Sequence, residues 1–233
     1  MLRKAGDLIS EIVREKQLSA NRAEPIGAGS YGVVYSSDIP GNVIKQSAAV
    51  DMYGDTEREA NLQAIAAELG IAPQVAGLEQ FPGGIGNRIE MSDIRNNFAP
   101  VAGEGDAFGQ PGVGSPVDPM VNLRTAQQLG QLALKGVRLE DRRAANIVQN
   151  KLTGRPMQLD FGIAGKVEGS EQAATLALAT AEGFEAAGIP EMGQILTATV
   201  MDLLEGGDVE DAMDVAKQGF SRLQKIKAPL TLT

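Results

Sequence analysis

The sequence predicts an α+β protein built as two lobes, and three observations carry that prediction. Strand-like stretches gather before residue 95, with one helical stretch among them at 55–69. Residues 96–119, "NNFAPVAGEGDAFGQPGVGSPVDP", are rich in Gly and Pro and show no period. Helical periodicity then takes over, from "MVNLRTAQQLGQLALKG" through most of the remaining chain. With 233 residues, 43% of them hydrophobic, the chain can bury a core in one domain or in two closely packed lobes.

In chain order, residues 1–22 hold a helix over 2–17, where Leu2, Leu8, Ile9, Ile12 and Val13 share one face and charges the other. Residues 23–95 make the small β-rich lobe. "YGVVYSS" and "VIKQ" read as strands joined by the turn "DIPGN", because β-branched residues flank a Pro-Gly break. "DTEREANLQAIAAEL" reads as a helix that Gly70 ends and Pro73 breaks. "QVAGLEQF" and "NRIEMSDI" are short strands around "PGGIG". Residues 96–119 are a linker, and residues 120–233 make a reduced helical lobe. Within it, "VRLEDRRAANIVQNKLTGRPMQLDFGIAG" reads as a loop and a hairpin turning at "KLTG", and the later helices break at "AGIP" and "EGGD".

Composition removes several function classes. There is no Cys, so disulfides and thiolate catalysis are excluded, and the chain suits a reducing compartment such as the cytoplasm of a bacterial or phage-infected cell. There is no His, which removes the commonest general base and metal ligand. Any metal site must then be carboxylate and carbonyl oxygen, which suits Mg²⁺ or Mn²⁺ and not zinc. The net charge of −9, with no basic stripe, argues against a nucleic-acid partner. No apolar run approaches a membrane span, and the charged start lacks a signal peptide's apolar core, so no membrane partner is expected.

The chemistry centres on "PIGAGSYGVVYSS", where Gly27, Gly29 and Gly32 have G-x-G-x-x-G spacing. In a dinucleotide-binding unit the motif opens a helix. Here it runs into "VVYSS", so the glycines sit at a hairpin tip, and no GK[ST] ending marks a P-loop. Two readings remain: a hairpin lid whose N–H groups cover phosphates, with Val33 near the cofactor base, or an ordinary glycine-rich turn. Lys45 follows on the next strand, where burial would cost several kcal/mol unless it were paired. Glu59 falls with Leu62, Ala66 and Leu69 on the apolar helix face, while Glu57 falls on the polar side, which suggests a Lys45–Glu59 ion pair.

At this point the chain resembles the protein kinase-like superfamily. The motifs are "GAGSYGVV", "VIK" with Lys45, "EREA" with Glu59, "EDRRAAN" and "LDFG", in the family's order over residues 24 to about 165. "REANLQAIAAELGIAPQV" and "IEMSDI" look most like small atypical kinases of the RIO and related lineages, including bacterial or phage kinase-like proteins. The resemblance implies a two-lobed kinase-like fold that uses ATP with Mg²⁺ or Mn²⁺. It implies phosphates under Gly27, Gly29 and Gly32, held by Lys45, which Glu59 orients. Met91 matches the position beside the adenine pocket, with backbone groups from Ser92 to Ile94 at the adenine edge. Asp160 matches the metal ligand of the DFG turn, Asn146 the second ligand, Asp141 the catalytic Asp that accepts or orients the proton of the attacking hydroxyl, and Arg143 the basic residue that offsets charge on the moving phosphoryl group.

The sequence departs from the pattern at two places. Leu139-Glu140 stands where the family has His-Arg, so no partner for a phosphorylated activation loop is expected, and Glu140 adds charge beside Asp141 unless it points away. The segment after DFG is very short, with no Ala-Pro-Glu signature, so a broad peptide-docking platform is missing. The expected activity is γ-phosphoryl transfer to a hydroxyl: a protein Ser or Thr, the chain itself, or a small molecule. The rival is a pseudokinase that binds nucleotide or serves as a scaffold in a larger assembly.

Overall fold

The structure, a computed structural model, describes residues 25–29, 32–47, 55–81, 86–101, 118–140 and 146–227. The helix expected over 2–17 and most of the 96–119 linker lie outside the described residues. The chain divides into two compact units. One contains the described residues through Glu57 together with Val75–Asp93, and the other contains Arg58–Gln74 and everything from Ile94 on.

The first, or sheet, unit is a five-stranded antiparallel sheet, ordered β1-β2-β3-β5-β4. Its strands are β1 (Gly27–Gly29), β2 (Gly32–Ser36), β3 (Asn42–Ser47), β4 (Val75–Glu79) and β5 (Arg88–Ser92). The β2–β3 turn uses Gly41 at φ +84°, a conformation that glycine adopts without strain. Cross-strand register places Val34, Val43, Lys45, Ile89 and Met91 on one face. Val43, Ile89 and Met91 are buried there. The other face is mixed, with Val33, Tyr35 and Ile44 beside a polar group in which Arg88 donates to Gln46 Oε1 (3.3 Å), pairs with Glu79 (3.6 Å) and stacks over the Phe81 ring (5.1 Å).

Helix α1 (Asp55–Glu68) leads into the second, or helical, unit at Arg58. Its end follows from Gly70 at φ +68°, with Gly70 and Ile71 donating back to Ala67 and Ala66. Among the described residues four more helices follow: α2 (Pro119–Leu134), α3 (Gly169–Ala186), α4 (Pro190–Leu204) and α5 (Val209–Leu223). Asp118 caps α2, its Oδ1 accepting from the Met120 N–H with Pro119 at the first position, and Asp208 caps α5 in the same way. The helices pack through small residues. A Cβ on Gly130 would overlap the Phe220 ring, one on Gly183 would overlap Leu223, and one on Gly219 would stand 3.1 Å from Leu196. Glycine lets α2, α3, α4 and α5 approach closely in a chain with no Trp and few other aromatics.

Five short strands complete this unit. β6 (Phe98–Pro100), β8 (Ile147–Asn150) and β9 (Pro156–Gln158) form one sheet, and β7 (Val137–Arg138) pairs with β10 (Gly165–Lys166). The β8–β9 hairpin turns at "KLTG" as its sequence requires: Asn150 Oδ1 accepts from Leu152 and Thr153, and Gly154 takes φ +64°. β6, β7 and β10 are not evident in the sequence, since two or three residues show no period. Strand β6 occupies the start of the stretch read as linker, and β8 supplies its hydrogen-bonding partner.

Candidate functional site

In the sheet unit the glycine run is a hairpin of two strands, not a helix opening. Gly29 pairs with Gly32, and Gly27 with Val34. A Cβ on Gly32 would stand 2.5 Å from the Gln46 carbonyl oxygen and 3.5 Å from Lys45 Cε. Glycine at 32 is therefore required by the closeness of β3, and the Lys45 stem runs directly beside it. Lys45 is half-buried on the apolar face, paired across the strands with Val34 on one side and Ile89 on the other. The register corrects one assignment. Val33 pairs with Ala28 and Gln46 and faces away from Lys45, whereas Val34 shares the lysine's face. Side chains alternate along a strand, so Val34, not Val33, shares the lysine's face.

Met91 is buried between Val43 and Val75. Beyond it the backbone is partly committed. Ser92 pairs with Asn42, the Asp93 N–H donates to the Gly41 carbonyl (2.8 Å), and the Ile94 carbonyl accepts from Asn97 and Phe98 (3.0 Å each).

In the helical unit a backbone bond sets Asn146 close to Asp160, the two residues expected to hold a metal. The Leu159 N–H donates to the Asn146 carbonyl (2.9 Å), which sets Asn146 against the residue before Asp160. Asp160 Oδ1 accepts from the Gly162 N–H (3.0 Å), the tight Asx turn of a DFG sequence, and Ala164 closes the next turn onto Phe161 (3.0 Å). Phe161 is fully buried and anchors that turn in a cluster with Leu62, Leu132, Val137 and Leu139. Leu139, at the family's histidine position, thus serves as core. Asp160 and Asn146 themselves are half-buried. Asp141 and Arg143 lie outside the described residues.

Glu59 is 7% exposed and Glu57 is exposed, as the helical period predicts, and Glu57 accepts from Gln80. Glu140 is bonded by Arg138, whose guanidinium also bonds Glu171. The sequence spacing gave no hint of Glu171, which arrives from α3.

The donor set fits a hard cation. Asp160 offers carboxylate oxygen and Asn146 amide oxygen, and among the described residues no group of three or more Asp or Glu could hold a metal alone. Two protein oxygens completed by phosphates and water is how Mg²⁺ is commonly held at phosphoryl-transfer sites.

The fold is that of a protein kinase domain. The crystal structure of the Mycobacterium tuberculosis PknI kinase domain superposes with a TM-score of 0.51 at 17% identity, over 84% of this chain and 94% of that one. A single-substitution variant of the same domain gives 0.50 at 16% identity, over 84% and 93%. At these identities the likeness is one of fold. No protein-family model matches the sequence, and no curated protein does. Among the described residues no helix is long and apolar enough to cross a membrane.

Proposed function

We propose that the chain is an ATP- and Mg²⁺-dependent phosphotransferase acting on a hydroxyl. The observation that carries the reading is the Asp160 turn, anchored by buried Phe161 and tied through Leu159 to Asn146. When bound, the magnesium nucleotide supplies the γ-phosphoryl group. Asp160 and Asn146 hold the metal by oxygen, and the Lys45 ammonium, beside the glycine hairpin, neutralises phosphate charge. Glu59 orients Lys45, Asp141 takes the acceptor proton, and Arg143 offsets charge at the transferring group. Val34 and Met91 line the base.

The short segment after DFG supports a compact acceptor site. A cavity of about 410 Å³ beside β7 is lined by Leu129, Leu139, Glu140 and Thr175, and it is one candidate space for the acceptor, whether a Ser or Thr side chain or a small molecule. The protein acts in the cytoplasm on this reading. A scaffold that binds nucleotide without turnover is the second reading, favoured by Leu139-Glu140 in place of His-Arg.

The test is transfer of labelled γ-phosphate, with phosphate release measured in parallel. Asp160→Ala is expected to lower the rate at least about 100-fold, in the range seen when a preorganised charge-stabilising group is removed. Equal rates in wild type and variant would remove the phosphotransferase reading. A nucleotide-induced thermal shift without turnover would favour the scaffold.

A further inference from the structure

We propose a second, non-catalytic site on the helical unit that binds a small phosphate monoester. It is a cavity of about 400 Å³ between α2 and the β8–β9 turn, lined by Arg124, Gln127, Gln128, Gln131, Thr153 and Arg155, with Pro156. Two cations and no carboxylate line it, in a chain that carries a net charge of −9.

Each guanidinium is anchored by backbone. Arg124 Nη1 donates to the carbonyls of Thr153 (3.1 Å) and Gly154 (2.6 Å), and Arg155 Nη2 donates to that of Leu69 (3.1 Å). Those bonds use one nitrogen of each arginine, and the described residues supply no ion pair to either. Gly154 permits the arrangement, since a Cβ there would stand 2.9 Å from Arg124 Nη1. Two fixed, uncompensated like charges at one cavity are relieved by an anion, and the planar fork of arginine suits a phosphate oxygen pair.

The size of the cavity points to an ester rather than a bare ion. Gln128 is 5% exposed, and its Nε2 is committed to the Pro156 carbonyl (2.7 Å). Its Oε1 is itself buried and makes no hydrogen bond among the described residues, so Gln128 serves as a fixed floor rather than as a ligand contact. The cavity lies within the 300–1,000 Å³ range of small-molecule sites, large for phosphate alone.

The experiment is a thermal-shift titration of the full chain with glycerol 3-phosphate, at constant ionic strength and with EDTA present to silence the site at Asp160. Inorganic phosphate and chloride run in parallel. The expected result is a rise that grows with the logarithm of ester concentration and reaches about 5 °C at a hundredfold excess over Kd, with phosphate weaker and chloride inert. Arg124→Gln/Arg155→Gln should abolish the rise. Arg155→Lys, which keeps the charge and loses the fork, should weaken binding about tenfold and serves if the double variant fails to fold. The proposal is overturned if the ester gives no shift, if chloride matches it, or if the arginine variants bind as the wild type does. None of these outcomes depends on nucleotide binding or turnover.

Discussion

The two units are held together by different means. In the helical unit two apolar clusters run from Leu62 and Phe161 to Phe220 and Leu223, and glycines let the helices close on them. In the sheet unit the buried hydrophobics among the described residues are Val43, Ile89 and Met91. What else is buried there is partly polar: Asn87 accepts from the Phe81 N–H, and Arg88 is tied to Gln46, Glu79 and Phe81. Apolar burial gives most of a domain's favourable energy, whereas a hydrogen bond nets about 1 kcal/mol. Sensitivity of stability to mutation should therefore concentrate in the helical unit. The sheet unit, with the glycine hairpin and Lys45, should tolerate opening, as nucleotide-covering elements generally must.

The strongest way to break that contrast is to cut each core. Phe161→Ala should cost about 3–5 kcal/mol in urea unfolding, because it empties a fully buried site in the larger cluster. Met91→Ala should cost about 2 kcal/mol, at the low end for its type. If Met91→Ala proved the more damaging, the sheet would be the better-packed unit and the contrast would be reversed. Next in size is Gly130→Ala. The gain in helix propensity is about 1 kcal/mol, but the new methyl overlaps the Phe220 ring, and overpacking costs about 1–3 kcal/mol. The clash should win, and Phe220→Leu in the same chain should recover part of the loss.

These residues also show what the sequence could tell. Helix α1 was legible because Glu59, Leu62 and Ala66 repeat at helical spacing and Gly70 stops them. The Asp160 turn was legible because DFG is a local motif whose Asx geometry needs no distant partner. The breaks at "AGIP" and "EGGD" were legible for the same reason. Gly130, Gly183 and Gly219 were not: their meaning lies in Phe220, Leu223 and Leu196, far away in sequence. Leu139 looked like a defect in a catalytic motif, and only its packing with Phe161 shows it as core. Which of Val33 and Val34 shares the face of Lys45 depends on the β2–β3 register, which the turn sets and local sequence does not show, and the Arg138–Glu171 bond joins residues too distant for any spacing rule.

A smaller effect tests the polar side of the sheet. Arg88→Met keeps the length and apolar stem but loses the Gln46 and Glu79 partners and the charge over Phe81. The expected loss is about 1–2 kcal/mol. Because the sheet lacks a deep core, the loss should appear as faster amide hydrogen exchange in β3 and β5, with α2 and α3 unchanged. Equal acceleration in α2 and α3 would show that the two units unfold as one.

The smallest expected effect concerns Glu171. Its bond to Arg138 links α3 to β7, and all three charges of the group are more than a third exposed. Exposed pairs contribute about 0–1 kcal/mol and weaken with salt. Glu171→Gln should therefore cost less than about 1 kcal/mol, and the difference should vanish in 1 M NaCl. Its effect on turnover should be larger in proportion. With Glu171 gone, Arg138 keeps Glu140 as its one carboxylate and can shift with it, so the Glu140 charge is less fixed. A fall in kcat at unchanged stability would separate holding Glu140 in place from holding the fold. Unchanged kcat would mean that the Arg138–Glu140 bond alone suffices.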